Sequence, residues 1–126
     1  MTYLCYKGGF FVLTFKEREN IIRRYGNDYK KSKIIEIKGL DILAQNSVFE
    51  KESLYMNLEK YQYYYALQDR IDRILEQMDY DHANFIKQEF LSNNYRSDWW
   101  MSFFSRSTYY RIKRKSMDCF LELMYA

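Results

Sequence analysis

Apolar residues recur at helical spacing in three stretches of this chain, and their order sets the expected architecture. From Ser47 or Ser53 to about Met78, the residues Leu54, Leu58, Tyr61, Tyr65, Gln68, Ile71, Leu75 and Met78 trace one stripe, widened by Tyr64, Leu67 and Ile74. Residues three and four apart share a helix face, so a central helix of roughly 25 residues, packed on more than one side, is predicted. Glu59, Lys60, Asp69, Arg70, Asp72 and Arg73 fall mostly off the stripe. A second helix is expected over His82 to Leu91, packed by Ala83, Ile86, Phe90 and Leu91. Ser92, Asn93 and Asn94 end it. A short helix from Asp98 to Phe103 follows, capped by Ser97 or Asp98 and anchored by Trp99, Trp100 and Phe103. In the last helix, opened by Ser105, the packing face is Tyr109, Ile112, Ser116, Phe120 and Leu123.

The front of the chain is less regular. Two apolar runs, Tyr3 to Tyr6 and Phe10 to Leu13, flank Gly8-Gly9, which suits a short hairpin or an extended arm equally well. Thr14 and Glu17 have the spacing of a capping box. A short helix is expected from there to Tyr25, stopped by Gly26 and Asn27, with Arg18, Arg23 and Arg24 in solvent. Tyr29 to Lys38 fits a strand or a helix, and Gly39 breaks it. The expected fold is all-α, mostly helical, with a long central helix and a C-terminal helix-turn-helix. Its parts are an arm and short helix over 1–46, the central helix over 47–80 and the helix-turn-helix over 81–126.

The last helix brings in charge. Its outer face carries Ser107, Arg111 and Arg114, flanked by Tyr110 and Lys115, while Arg106 sits in its first turn and Lys113 to one side. Between Phe104 and Ser116 there are five basic residues and no acidic one. A helix that packs on one side and offers Arg, Lys, Ser and Tyr on the other can lie in a DNA major groove. Lys113 and Lys115 would mostly meet phosphate.

The string SRSTYYRIKRKS resembles the recognition-helix segment of phage late-gene transcription regulators of the ArpU type, and more loosely the last helix of sigma-factor region 4. The matching residues are Phe104, Ser105, Thr108, Tyr109 and Arg111. The resemblance implies DNA contacts from Arg106, Ser107, Tyr110, Arg111 and Arg114. Ser102 stands where the family pattern carries Leu, with Trp99-Trp100 nearby to supply bulk.

Charge is unevenly spread. Residues 1–40 carry nine basic and four acidic residues, 41–94 five and ten, and 95–126 six and three. Two basic ends around an acidic middle suit one nucleic-acid face and one protein-facing or solvated body. In a DNA-binding regulator the acidic middle would carry RNA polymerase or a second copy of the chain, as a homodimer. Two other readings compete. One is a helical interaction protein whose long helix binds a partner helix, and the other an RNA-binding protein using the tyrosines and the basic ends. Lys30, Lys31 and Lys33 would touch phosphate or simply keep their segment in water.

Catalytic chemistry finds little support. His82 is the sole histidine and Cys5 and Cys119 the only cysteines, so no zinc-ligand spacing exists. No phosphate-binding Gly-rich loop or nucleophile elbow is present. Asp69, Asp72, Asp79 and Asp81 lack a supporting motif for Mg²⁺. No enzyme activity, cofactor or metal is expected. Without a membrane-length apolar run or a leader peptide, a cytoplasmic protein is expected.

Overall fold

A computed structural model describes the backbone of residues 3–6, 9–45, 58–93 and 96–126, and the side chains of 13–38, 61–93 and 96–126. The chain is mostly helical. Two short antiparallel strands, β1 (Tyr3–Tyr6) and β2 (Gly9–Val12), pair with Tyr3 opposite Val12 and Tyr6 opposite Gly9. The hairpin thus replaces the extended arm, with Gly9 inside a strand. Helix α1 (Phe15–Gln45) follows, then α2 (Leu58–Gln77) and α3 (Tyr80–Ile86). A π-helical turn, Lys87–Leu91, continues α3; a 3-10 turn, Trp99–Ser102, precedes α4 (Arg106–Met124). The predicted start of the central helix at Ser47 or Ser53 lies outside the described residues.

The core sits where α4 meets the other three helices. Ile22 of α1, Leu67, Ile71, Ile74 and Leu75 of α2, Met78 between α2 and α3, Ala83 and Ile86 of α3, Phe90 of the π-turn, and Met117, Phe120, Leu121 and Met124 of α4 form one buried cluster. The central stripe is therefore core at its C-terminal half. Tyr65, read as part of it, is instead exposed. There the α1–α2 seam is polar: Tyr29 donates to Asp72 Oδ1 at 2.8 Å, and Gln68 Nε2 donates to Glu36 Oε2 at 3.2 Å. The Ser32 hydroxyl lies 3.0 Å from Gln68 Oε1 and 2.6 Å from the Tyr29 carbonyl. Burial and the hydrogen bond to Asp72 push the Tyr29 phenol well above its ordinary range.

The first helix corrects a sequence expectation. It does not stop at Gly26-Asn27 but runs on through the segment that also fitted a strand. Its buried positions include Arg18, Glu19, Ile22, Gly26 and Ser32. The stripe has helical spacing, yet most of its members are not apolar, so hydrophobicity alone missed it. Gly26 is there for space. A Cβ at this position would lie 2.5 Å from the Phe90 carbonyl oxygen, on the π-turn packed across it. Ordinarily Gly→Ala inside a helix stabilises by about 0.5–1 kcal/mol. Here the clash is with backbone, which cannot swing aside, and overpacking costs about 1–3 kcal/mol. Gly26→Ala is expected to lower the melting temperature; a rise in thermal denaturation would contradict this packing.

Candidate nucleic-acid interface

The start of α4 is set locally. Ser105 has an extended backbone, and its hydroxyl accepts from the Thr108 N–H at 3.3 Å while donating to Thr108 Oγ1 at 2.9 Å. This is the cap the sequence predicted, and it satisfies one of the orphan donors of the first turn. At the far end Arg70 donates to the Met124 carbonyl, and the Tyr25 and Tyr125 hydroxyls meet at 2.9 Å. The helix is thus tied at both ends, and its first two turns are the more exposed half.

Arg106, Ser107, Tyr110, Arg111, Arg114 and Lys115 are all exposed. Among the described residues, none of the four cations in this set forms an ion pair, whereas Lys16, Arg18, Arg23, Arg73, Arg96 and Lys113 do. The first turn of α4 contains no acidic residue, so Arg106 adds to the positive end of the helix dipole instead of being offset. An anion laid along this face would meet four uncommitted charges and the positive helix end together.

Lys113 does not belong to that face. It was expected to one side, reaching phosphate, but it is 5% exposed and points into the protein. Its Nζ lies 2.8 Å from Glu19 Oε2 and 3.9 Å from Glu89 Oε1. Arg23 reaches the same two carboxylates at 3.5 and 3.8 Å. Trp99 Nε1 donates to Glu89 Oε2 at 2.9 Å. Burial and a hydrogen bond to Glu89 also push the Tyr109 hydroxyl far above its ordinary range. Glu89, carried on the π-turn, thereby joins α1, the 3-10 turn and α4. Tyr109, Ser116 and Phe120 are buried as their spacing predicted, but the packing face of α4 extends toward Lys113, Met117, Leu121 and Met124, leaving Ile112 and Leu123 only half-buried. A pattern that scores lysine as polar places Lys113 outside. The two carboxylates that receive it lie on other elements. Arg18, expected in solvent, is likewise buried, with Nε 3.4 Å from Asp118 Oδ1.

Burial raises the Glu19 carboxyl pKa, but Lys113, Arg23 and Lys16 more than offset this and hold it below its ordinary value. A carboxylate with a depressed folded-state pKa adds stability above its unfolded pKa and loses it as pH falls through the folded one. Stability should therefore decline on acidification below the ordinary carboxylate range, near pH ~4.3. Glu19→Gln should show a shallower acid limb in denaturation measured against pH; an unchanged limb would remove Glu19 as its source.

The aromatic block divides. Trp99 packs edge-on against Phe85 at 5.4 Å and Phe104 at 6.3 Å. Trp100 stacks on Tyr109 with centroids 4.3 Å apart, and its Nε1 donates to the Ser97 carbonyl. Both are half-buried. Phe103, expected as a third anchor, is 73% exposed. The segment makes a 3-10 turn, not a full α-helical one, and Asp98 gives it no side-chain cap. Phe103 follows that turn as its C-cap residue, where the chain leaves the helical register, and its ring stays in solvent.

Elsewhere Lys31 is exposed and Lys30 and Lys33 half-buried along α1, with Lys33 Nζ 5.3 Å above the Tyr29 ring. His82 Nδ1 lies 3.8 Å from Asp79 Oδ2. Among the described residues no group of three metal-ligating side chains converges, and no helix is long and apolar enough to cross a membrane. Burial, reinforced by Glu122 and Asp79, pushes the Cys119 thiol upward. No family model matches the chain, and neither curated proteins nor solved structures give a match.

Proposed function

We propose that this chain is a duplex-DNA-binding transcription regulator of the phage or mobile-element type, reading its site with the exposed face of α4. The observation that carries the reading is the set of uncommitted cations Arg106, Arg111, Arg114 and Lys115, with Ser107 and Tyr110, on one rigidly capped helix. The likeness of SRSTYYRIKRKS to late-gene regulators supports the same role. Arg111 and Arg114 reach guanine edges or phosphates, since a guanidinium fork pairs with either. Lys115 meets phosphate. One helix reads only a few base pairs, so specific recognition calls for two copies of the chain. The acidic middle of the chain is then left for RNA polymerase or the second copy.

Arg111→Ala and Arg114→Ala are each expected to weaken binding to the cognate duplex by about 1–3 kcal/mol. Lys115→Ala should weaken all duplexes alike and reduce the salt slope by about one. The test is selection of bound fragments from a random duplex pool, repeated with the Arg111→Ala/Arg114→Ala variant. An enriched motif that vanishes in the variant supports a site-specific regulator. If no duplex is retained even at low salt, the DNA-binding reading falls and a helical interaction protein becomes the better account.

A further inference from the structure

Two exposed arginines of α4 are not loose in solvent. The Arg106 guanidinium carbon lies 6.0 Å from the centre of the Tyr110 ring. That of Arg114 lies 6.0 Å from the centre of the Phe15 ring. The two rings meet edge-on, with centroids 6.4 Å apart and planes at 63°, and Tyr110 is braced from behind by Tyr109 at 5.0 Å. Lys113 Nζ also lies 5.5 Å from the Phe15 ring centre.

Phe15 comes from the opposite end of the chain, and the start of α1 fixes its position. It is the first residue of α1, beside the reciprocal cap in which Glu17 N–H donates to Thr14 Oγ1 at 3.1 Å and Thr14 N–H to Glu17 Oε1 at 3.4 Å. Its ring is half-buried against the core cluster. So the ring rests on a fixed helix start and presents its remaining surface to α4.

We infer that Phe15 and Tyr110 form an aromatic shelf that pre-positions Arg114 and Arg106 for DNA, making the first turn of α1 a determinant of specificity. This rests on the DNA-binding reading above. An exposed arginine otherwise samples many rotamers, and fixing one on binding is costly. Guanidinium planes stack on aromatic faces, which holds the fork without consuming its hydrogen-bond donors. Carboxylate partners would hold it too, but would spend its charge. Phe15 is a positioning residue: it touches no base and carries no charge.

The test compares Phe15→Leu, which keeps the apolar contact with the core but removes the ring, with Phe15→Tyr, which restores it. In the DNA-free protein, the side-chain NMR signals of Arg114 should be ring-shifted in the wild type and Phe15→Tyr, and move to ordinary values in Phe15→Leu. On the selected duplex, Phe15→Leu should bind about three- to tenfold more weakly, with binding to random duplex and the salt slope unchanged, because no charge is lost. Phe15→Tyr should recover the affinity. Equal losses on selected and random duplex would show a merely structural role and overturn the inference. So would unshifted Arg114 signals in the wild type, or wild-type discrimination in Phe15→Leu. If the wild type retains no duplex, or binds all duplexes alike, site-specific reading fails and the shelf's role in it fails too. An unaltered selection in Phe15→Leu would sink the shelf alone.

Discussion

Replacing Lys113 with Ala is expected to destabilise the fold by about 3–5 kcal/mol, although lysine on a helix is usually a surface residue. The ammonium sits between Glu19 and Glu89, all three side chains at most 12% exposed. Removing it leaves two buried carboxylates whose remaining close cations are the more exposed Arg23, at 3.5 and 3.8 Å, and, for Glu19 alone, Lys16 at 3.5 Å. The cost comes mainly from the stranded charges, since a buried pair as a whole adds little net stability. The triple variant Lys113→Met, Glu19→Gln, Glu89→Gln should therefore recover much of the loss. Denaturant titration of both variants checks this. A loss below about 1 kcal/mol for Lys113→Ala would place the group in the class of solvated surface pairs. The DNA binding proposed above gives a second readout. Measured where the variant is still folded, its salt slope should equal that of the wild type. A slope reduced by about one would return Lys113 to the phosphate-contacting set.

The second large effect is expected at Phe85. This side chain is 2% exposed. It touches the Trp99 ring at 5.4 Å and the Tyr109 ring at 5.6 Å, and so joins α3 to the turn before α4 and to α4 itself. Phe85→Ala should cost about 3–5 kcal/mol, from lost transfer energy plus a cavity that cannot close without moving Trp99. Phe103→Ala should stay within about 0.5 kcal/mol, because the ring is 73% exposed. Thermal or chemical denaturation of the two variants distinguishes an anchored turn from a loosely attached one. Near-equal losses would mean that Phe103 shares the anchoring. Because Phe85 supports the N-terminal half of α4, residual folded Phe85→Ala should, under the proposed DNA-binding role, also bind the selected duplex less selectively, as the angle of that face is no longer held.

Much of this architecture is local in origin and could be read directly. The Ser105 cap depends on a side chain three residues from the amide it receives. The core positions Leu67, Ile71, Leu75 and Met78 follow from spacing, as does the exposure of Arg106, Ser107, Tyr110, Arg111, Arg114 and Lys115. Helical periodicity shows which residues share a face, and capping chemistry shows where a helix begins, without knowledge of any partner element.

Only the tertiary structure decided the rest. Gly26 reads as a helix stop until the Phe90 carbonyl is found against it. Lys113 reads as a surface cation until Glu19 and Glu89 arrive from two other elements. Phe15 reads as a generic apolar residue until its ring is seen beside Tyr110 and Arg114. In each case the residue's role is set by a neighbour far away in the chain. Periodicity sorts side chains by their own polarity, whereas burial of a charge, or of a bare backbone position, depends on what the fold brings opposite to it.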